Sequence, residues 1–192
     1  MPSLSSGQRL TRAKILSTAR SLFYQRGVNA VGVNDIAAQA KASKQSLYRY
    51  FPTKEALVAA MLAEHSADIH QWLESHTADA VPGPERVLSV FRLLIEWFAS
   101  PGYQGCAVIN TVTDTRAEPA VTAIARKHLG RYRALLETRL TEAGFSQVET
   151  LARQLILLIE GASVVMTIEP TTQPGRDALF AAETLLKVGS AS

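Results

Sequence analysis

The sequence predicts an all-α protein of about nine helices, with an N-terminal three-helix helix-turn-helix head joined by a long helix to a helical body. Three observations predict this. Apolar residues recur at helical spacing along almost the whole chain. No Asn-Gly or Asp-Gly hairpin signal interrupts that period, and Val, Ile and Thr rarely alternate with polar residues. Glycine and proline punctuate the period at Gly27, Pro52, "VPGP" (81–84), Ser100-Pro101-Gly102, Gly144 and "EPTTQPG" (169–175).

Residues 1–9 read as a flexible tail, because "MPSLSSGQR" carries no helical period. The first helix is expected over Thr11–Arg26, with Ile15, Ala19, Leu22 and Phe23 on one buried face and Gly27 as its stop. A short helix follows over Val33–Gln39. Gly32 is its N-cap, and Asp35 suits the positive end of the helix dipole. "KAS" (41–43) forms a tight turn, and Ser43 caps a third helix over Lys44–Tyr50. Thr53 caps a long fourth helix, along which His65, Ile69, Trp72, Leu73 and His76 share a face as far as the "VPGP" break.

Five more helices are expected, over Glu85–Ala99, Gln104–Asp114, Glu118–Ala143, Gln147–Ile168 and Arg176–Val188. The third of these is strongly periodic, with Val121, Ala125, His128, Leu129, Tyr132, Leu135, Leu136, Leu140 and Ala143 on one face. The longest apolar stretch, "LILLIEGASVVMTI" (155–168), reads as too short to span a bilayer and carries Glu160. The expected division is a head over 10–69 and a ligand-binding and dimerisation body over 70–192.

Charge is unevenly distributed. Residues 1–55 hold nine Lys/Arg against two acids, Asp35 and Glu55; the remainder holds eleven against fifteen. A basic head on a mildly acidic body suits a polyanionic partner. A single cysteine, Cys106, excludes an intrachain disulfide and points to a reducing compartment. The N-terminal residues lack the apolar run of a signal peptide. The expectation is a cytoplasmic protein with no membrane partner.

The segment "KASKQSLYRYFPTKEAL" (41–57) crowds Tyr48, Tyr50 and Phe51 among Lys41, Lys44, Arg49 and Lys54. On a helix the crowding resolves. Leu47 and Phe51 turn inward with Phe23 and Ile36, while Lys44, Gln45, Tyr48 and Arg49 form the outward face. Two cations, an amide and a phenol suit phosphate oxygens and base edges. A short helix, a tight turn and a second short helix with such a face make a helix-turn-helix, whose second helix enters the major groove.

Residues 10–57 resemble the DNA-binding head of the TetR family of bacterial transcription regulators, through "ILSTARSLFYQRG", "DIAAQAKAS" and "SLYRYFPTKEAL" at matching spacing. The resemblance implies phosphate contacts from Tyr48, Lys54 and Tyr50. It places Lys44, Gln45, Ser46 and Arg49 in or beside the groove, and Gly32 and Val33 near the backbone. Three positions depart from the common pattern. Gly32 stands where threonine is frequent. Lys41 replaces a glycine in the turn. Gln45 replaces a small residue and is a candidate for base reading. The family also implies a homodimer on an inverted-repeat operator, a small-molecule effector and no cofactor.

In the body, the helix at 147–168 is apolar on most sides, more than one core can use. Its small residues Gly161, Ala162 and Ser163 admit a close neighbour. With the last helix it forms the expected dimer face, carried by Leu155, Leu158, Ala162, Leu179 and Leu186. Candidates for the effector pocket are Phe91, Trp97, Cys106, Asn110 and Tyr132.

Cys106 lies near a helix start and raises the alternative of thiol-based redox sensing. An architectural, nonspecific DNA-binding protein is the other alternative. No Cys/His/acid spacing, glycine-rich phosphate loop or carboxylate pair supports catalysis. His65 and His76 are about 16 Å apart at the helical rise, too far to share a metal. His70 and Glu74 at i, i+4 offer only two ligands. The expectation is therefore a regulator that is not an enzyme.

Overall fold

A computed structural model describes residues 5–169 and 171–189. Among the described residues it contains nine α-helices and no strand. They are α1 (Ser6–Arg26), α2 (Val33–Gln39), α3 (Lys44–Tyr50), α4 (Lys54–Thr77), α5 (Pro84–Phe98), α6 (Ala107–Asp114), α7 (Pro119–Glu142), α8 (Val148–Ile168) and α9 (Gln173–Gly189). The chain forms two compact units. One comprises Met1–Ser66 and Ala107–Ala125, the other Ala67–Cys106 and Arg126–Ser192.

In the first unit α1, α2 and α3 pack against one another. Ile15, Leu22, Phe23, Ile36, Leu47, Phe51 and Leu57 are all buried there. The helix α1 begins five residues before the expected start. Ser5 accepts from the Gln8 amide, and the Gln8 side chain accepts from the Ser5 amide. That capping box satisfies two otherwise orphaned donors and orders a segment with no apolar period of its own. Residues 1–4 of the expected tail lie outside the described residues.

The turn between α2 and α3 is a paired C-terminal cap. The Ala42 amide donates to Ala37 O (3.0 Å) and the Lys41 amide to Ala38 O (3.1 Å). This arrangement needs a left-handed residue, and Lys41 takes it with φ 52. The glycine-like demand at this position is therefore real, and a lysine meets it.

In the second unit α5, α8 and α9 pack mutually. The core gathers Leu73 from α4, Phe91 and Leu94 from α5, Tyr132, Leu136 and Leu140 from α7, and Leu155 and Ile159 from α8. Gly175 in the first turn of α9 allows close packing, because a Cβ there would lie 2.7 Å from the Ile95 side chain. That helix starts three residues before the expected Arg176. Pro174 lacks only an N–H that a first turn leaves unpaired anyway. Pro170 of the expected loop lies outside the described residues.

Two expectations about faces are corrected. The buried line of α4 runs through Ser66, His70, Leu73 and Thr77, while His76 is exposed and His65 is only partly buried. Polar residues occupy that line because each finds a partner. Thr77, for example, donates to Leu73 O. On α8, Leu155 is buried in the core of the protomer, as is Leu186 on α9, whereas Ala162 is largely buried but lines the groove between the two helices. Leu158 and Leu179 are half-buried against the same core. A helix that is apolar all round does not mark which stripe turns inward. Here α5 and α9 cover that stripe.

The bilayer reading of 155–168 also changes. The full α8 has 21 residues and is long and apolar enough to cross a membrane by length and composition alone. Nevertheless Leu151, Ala152, Leu155, Ile159, Ala162, Ser163 and Met166 on it are buried in the protein core.

Candidate nucleic-acid interface and buried polar cluster

The helix α3 is held at its N-terminus and along its inner face. Ser43 accepts from the Ser46 amide at 3.1 Å and caps it. Leu47, fully buried, fixes its inner face. That leaves Lys44, Gln45, Tyr48 and Arg49 exposed together, with Tyr48 at 47%. This exposure leaves the phenol available.

The other head residues have local duties. The Ser46 hydroxyl lies 3.0 Å from that of Ser43. Tyr50 is half-buried, edge-on to Phe51 with ring centroids 6.5 Å apart. Lys54 is half-buried with its ammonium 5.9 Å from the Phe23 ring centroid. Gly32 is exposed and its amide donates to Asp35 Oδ2 at 3.1 Å, while Val33 is half-buried. Thr53 caps α4 by accepting from the Ala56 amide. Hydrogen bonding by the Glu55 backbone and by Thr53 lowers the Glu55 carboxyl below its ordinary range. Sequence reasoning missed Arg12 on α1, whose guanidinium lies over the Phe51 ring at 5.3 Å. One cue was its place among the basic residues of the first helix.

The profile of the family described as bacterial regulatory proteins, tetR family, matches residues 15–61, the segment that builds this head. A TetR-family transcriptional regulator of Streptomyces coelicolor superposes with a TM-score of 0.86 at 26% identity, over 95% of this chain and 97% of that one. The head of the chain belongs to the TetR family. It is that family's helix-turn-helix. The reduced form of Escherichia coli NemR superposes with a TM-score of 0.82 at 26% identity, covering 91% of this chain and 95% of that one. By sequence, the transcriptional repressor NemR of Escherichia coli K12 is 32% identical over 102 residues. That alignment covers 52% of this chain and 51% of the repressor, so the chain spans about half the length of this curated relative. YxaF of Bacillus subtilis, an uncharacterised regulator, is 29% identical over 78% of each chain.

The second unit holds a cluster of polar groups. Cys106 Sγ lies 3.7 Å from His128 Nε2. His70 Nε2 lies 3.2 Å from His128 Nδ1 and 3.1 Å from His128 O. A carbonyl only accepts, which puts the proton on His70 Nε2 and leaves His70 Nδ1 buried without a donor. Burial, then the Arg131 charge, lowers His70 to about 4 despite the hydrogen bond to His128. The Tyr132 ring packs edge-on to His70 (4.5 Å) and to His128 (5.2 Å). Burial, and then Cys106, Glu160 and Tyr103, push its phenol well above the ordinary value. The Tyr103 and Ser163 hydroxyls are 2.6 Å apart. Burial alone raises the Glu160 carboxyl to about 7.

Of the five expected pocket residues, Cys106 and Tyr132 join this cluster. Trp97 packs on Tyr103 at 5.5 Å, and Phe91 is buried in the body core. Asn110 is exposed on α6, in the first unit. Sequence reasoning passed over Tyr103, Ser163 and, as a functional group, Glu160. A lone acid inside an apolar run was the available signal. Among the described residues no group of three or more His, Cys, Asp or Glu is placed to hold a metal.

Proposed function

We propose that the protein is a homodimeric, cytoplasmic repressor that reads an inverted-repeat operator in double-stranded DNA and is released by a small molecule bound in its body. The exposed Lys44–Gln45–Tyr48–Arg49 face on a helix pinned by Leu47 carries this proposal. In it, Lys44, Arg49 and Tyr48 reach phosphates and base edges from the groove, and Gln45 reads one base. Gly32, Val33, Ser46, Tyr50 and Lys54 stand at the margin, close to the sugar-phosphate backbone.

The dimer surface is the outward stripe of α8 and α9. Leu157 is 72% exposed, Ile168 75% and Phe180 71%. A groove of about 440 Å³, lined by Leu157, Gly161, Val165, Pro174 and Asp177 among others, runs between the two helices. Large apolar side chains grouped in this way mark an association surface, and a two-fold dimer matches a two-fold operator.

The test is selection from random duplex DNA by the purified protein, sequenced at two salt concentrations. Enrichment of an inverted repeat is the expected result. Binding that falls evenly with salt and enriches nothing would identify an architectural protein instead.

A second reading, regulation through the Cys106 thiol, rests on the neighbouring His128 imidazole, which stabilises a thiolate when protonated. NemR, similar over most of its fold, has been crystallised in a form described as reduced. Loss of operator binding on alkylation, absent in Cys106→Ser, would support it.

A further inference from the structure

Glu160 is partly buried on α8 and has no hydrogen-bond or ion-pair partner among the described residues. The position is costly. A carboxylate taken from water without a cation or a donor loses hydration that nothing restores. Its surroundings are aromatic and hydroxylic. Ser163, one helical turn along, holds the Tyr103 hydroxyl at 2.6 Å, which brings the Tyr103 ring to the same face of α8. Tyr132 lies within reach of the Glu160 charge, its own hydroxyl also without a hydrogen-bond partner among the described residues. Behind Tyr103 stands Trp97, with Trp72 6.0 Å beyond it.

We propose that Glu160, one helical turn from the Tyr103–Ser163 hydrogen bond and in the neighbourhood of Tyr132, is the recognition group for a small organic cation, an amine or a quaternary ammonium. The carboxylate supplies the counter-charge. The ring faces supply the attraction that aromatic π-systems give to cations, strongest where water is excluded. A bound cation favours the ionised carboxylate, whereas an anionic ligand would oppose its ionisation and a neutral one would gain nothing from it. This deepens the effector reading above by naming the chemical class, and it rests on that reading for its regulatory consequence.

The test uses the full-length protein and two probes of one shape, benzyltrimethylammonium and its uncharged carbon counterpart neopentylbenzene. Binding is followed by tryptophan fluorescence, for which Trp97 is placed beside Tyr103, and by calorimetry. The charged probe is expected to bind at least tenfold more tightly than the neutral one. Glu160→Gln, which removes the charge at constant shape, is expected to erase that preference, and Tyr103→Phe, which keeps the ring, to retain it. Equal affinity for both probes, no binding of the cation, or a preference that survives Glu160→Gln overturns the proposal. Release of selected operator DNA by the same cation is measured separately. Operator binding that is specific but indifferent to a cation that does bind would fault the effector reading and leave the site standing. Specific operator binding with no cation binding would fault the site alone.

Discussion

The Asp114 carboxylate accepts a hydrogen bond from the Val28 amide at 3.0 Å and occupies the space where a side chain on Gly27 would begin. Asn29 donates to the Asp114 carbonyl from the same loop. The end of α6 is thus tied to the loop after α1 inside the first unit.

Gly27 is required there twice over. Its φ of 78 and ψ of 154 belong to a region that only glycine occupies readily. A Cβ would also stand 2.9 Å from Asp114 Oδ2. Gly27→Ala should therefore cost about 2–3 kcal/mol, and Asp114→Ala about 1–3 kcal/mol through the orphaned Val28 amide. The two effects should not add, because removing the carboxylate also removes the clash. A thermal or urea double-mutant cycle reads this directly. Strict additivity would show that the close approach does not matter.

Lys41 offers the opposite case. At φ 52 it bears the steric cost of a left-handed L-residue, roughly 1–2 kcal/mol. Part of the relief in Lys41→Gly is returned through the greater freedom of glycine in the unfolded chain. A net gain of up to about 1 kcal/mol is expected, seen as a higher unfolding midpoint. A lower midpoint would mean that the lysine side chain contributes more than its backbone costs.

The head was legible in the sequence because each of its signals is local. Ser43, Pro52 and Thr53 punctuate α3 and α4 within a few residues, and Leu47 with Phe51 sets the inward face without help from elsewhere. The start of α1 was missed because the capping box at Ser5 and Gln8 lies outside any apolar period. In the body the period gave the helices but not their rotation. Ser66, His70, Thr77 and Arg139 are buried, and a pattern of apolar residues cannot find them. Arg139 is tolerated because it donates to Arg86 O at 2.9 Å and to Thr77. These partners lie 53 and 62 residues away in sequence. The same blindness placed Leu155 and Leu186 on the outside.

That correction separates two substitutions that the sequence alone treats alike. Leu157→Glu places a charge on an exposed residue and should leave the protomer folded while weakening association. Leu155→Glu places the charge in a fully buried position and should unfold the chain. Light scattering at micromolar concentration together with circular dichroism distinguishes them. A Leu157→Glu protein that remains a full dimer would move the interface off this stripe.

On the head, Gln45→Ala should relax sequence preference at one position per half-site by about 1–3 kcal/mol, because one side chain addresses one base pair. Arg49→Ala should instead weaken binding to all sequences, and flatten the salt dependence by about one unit per half-site if it meets a phosphate. Lys54→Ala is a poorer probe of phosphate contact, since its stem and ammonium also pack near Phe23. Binding titrations over a salt series, with the selected operator and its single-base variants, resolve the two patterns. Identical profiles for Gln45→Ala and wild type at every base would remove Gln45 from base reading.

Acidification should expose two buried groups that oppose one another. Glu160 has its pKa raised by burial from 4.5 to about 7, so between these values the native state holds a proton that the unfolded chain has lost. Its contribution therefore falls as pH rises through that window. His70 has its pKa lowered by burial and Arg131 from 6.5 to about 4, so in its window the unfolded chain holds the extra proton. Its contribution falls as pH drops. Each shift corresponds to about 3 kcal/mol at most, and between about pH 4.5 and 6.5 the two slopes nearly cancel. Wild type should therefore show a flat stability profile across that range. Glu160→Gln removes one side of the balance and should lose stability steadily from pH 6.5 toward 4.5. His70→Gln removes the other and should gain stability over the same interval. Denaturant midpoints of the three proteins at half-unit pH steps decide the matter, and parallel profiles would mean that neither group is held away from its ordinary range.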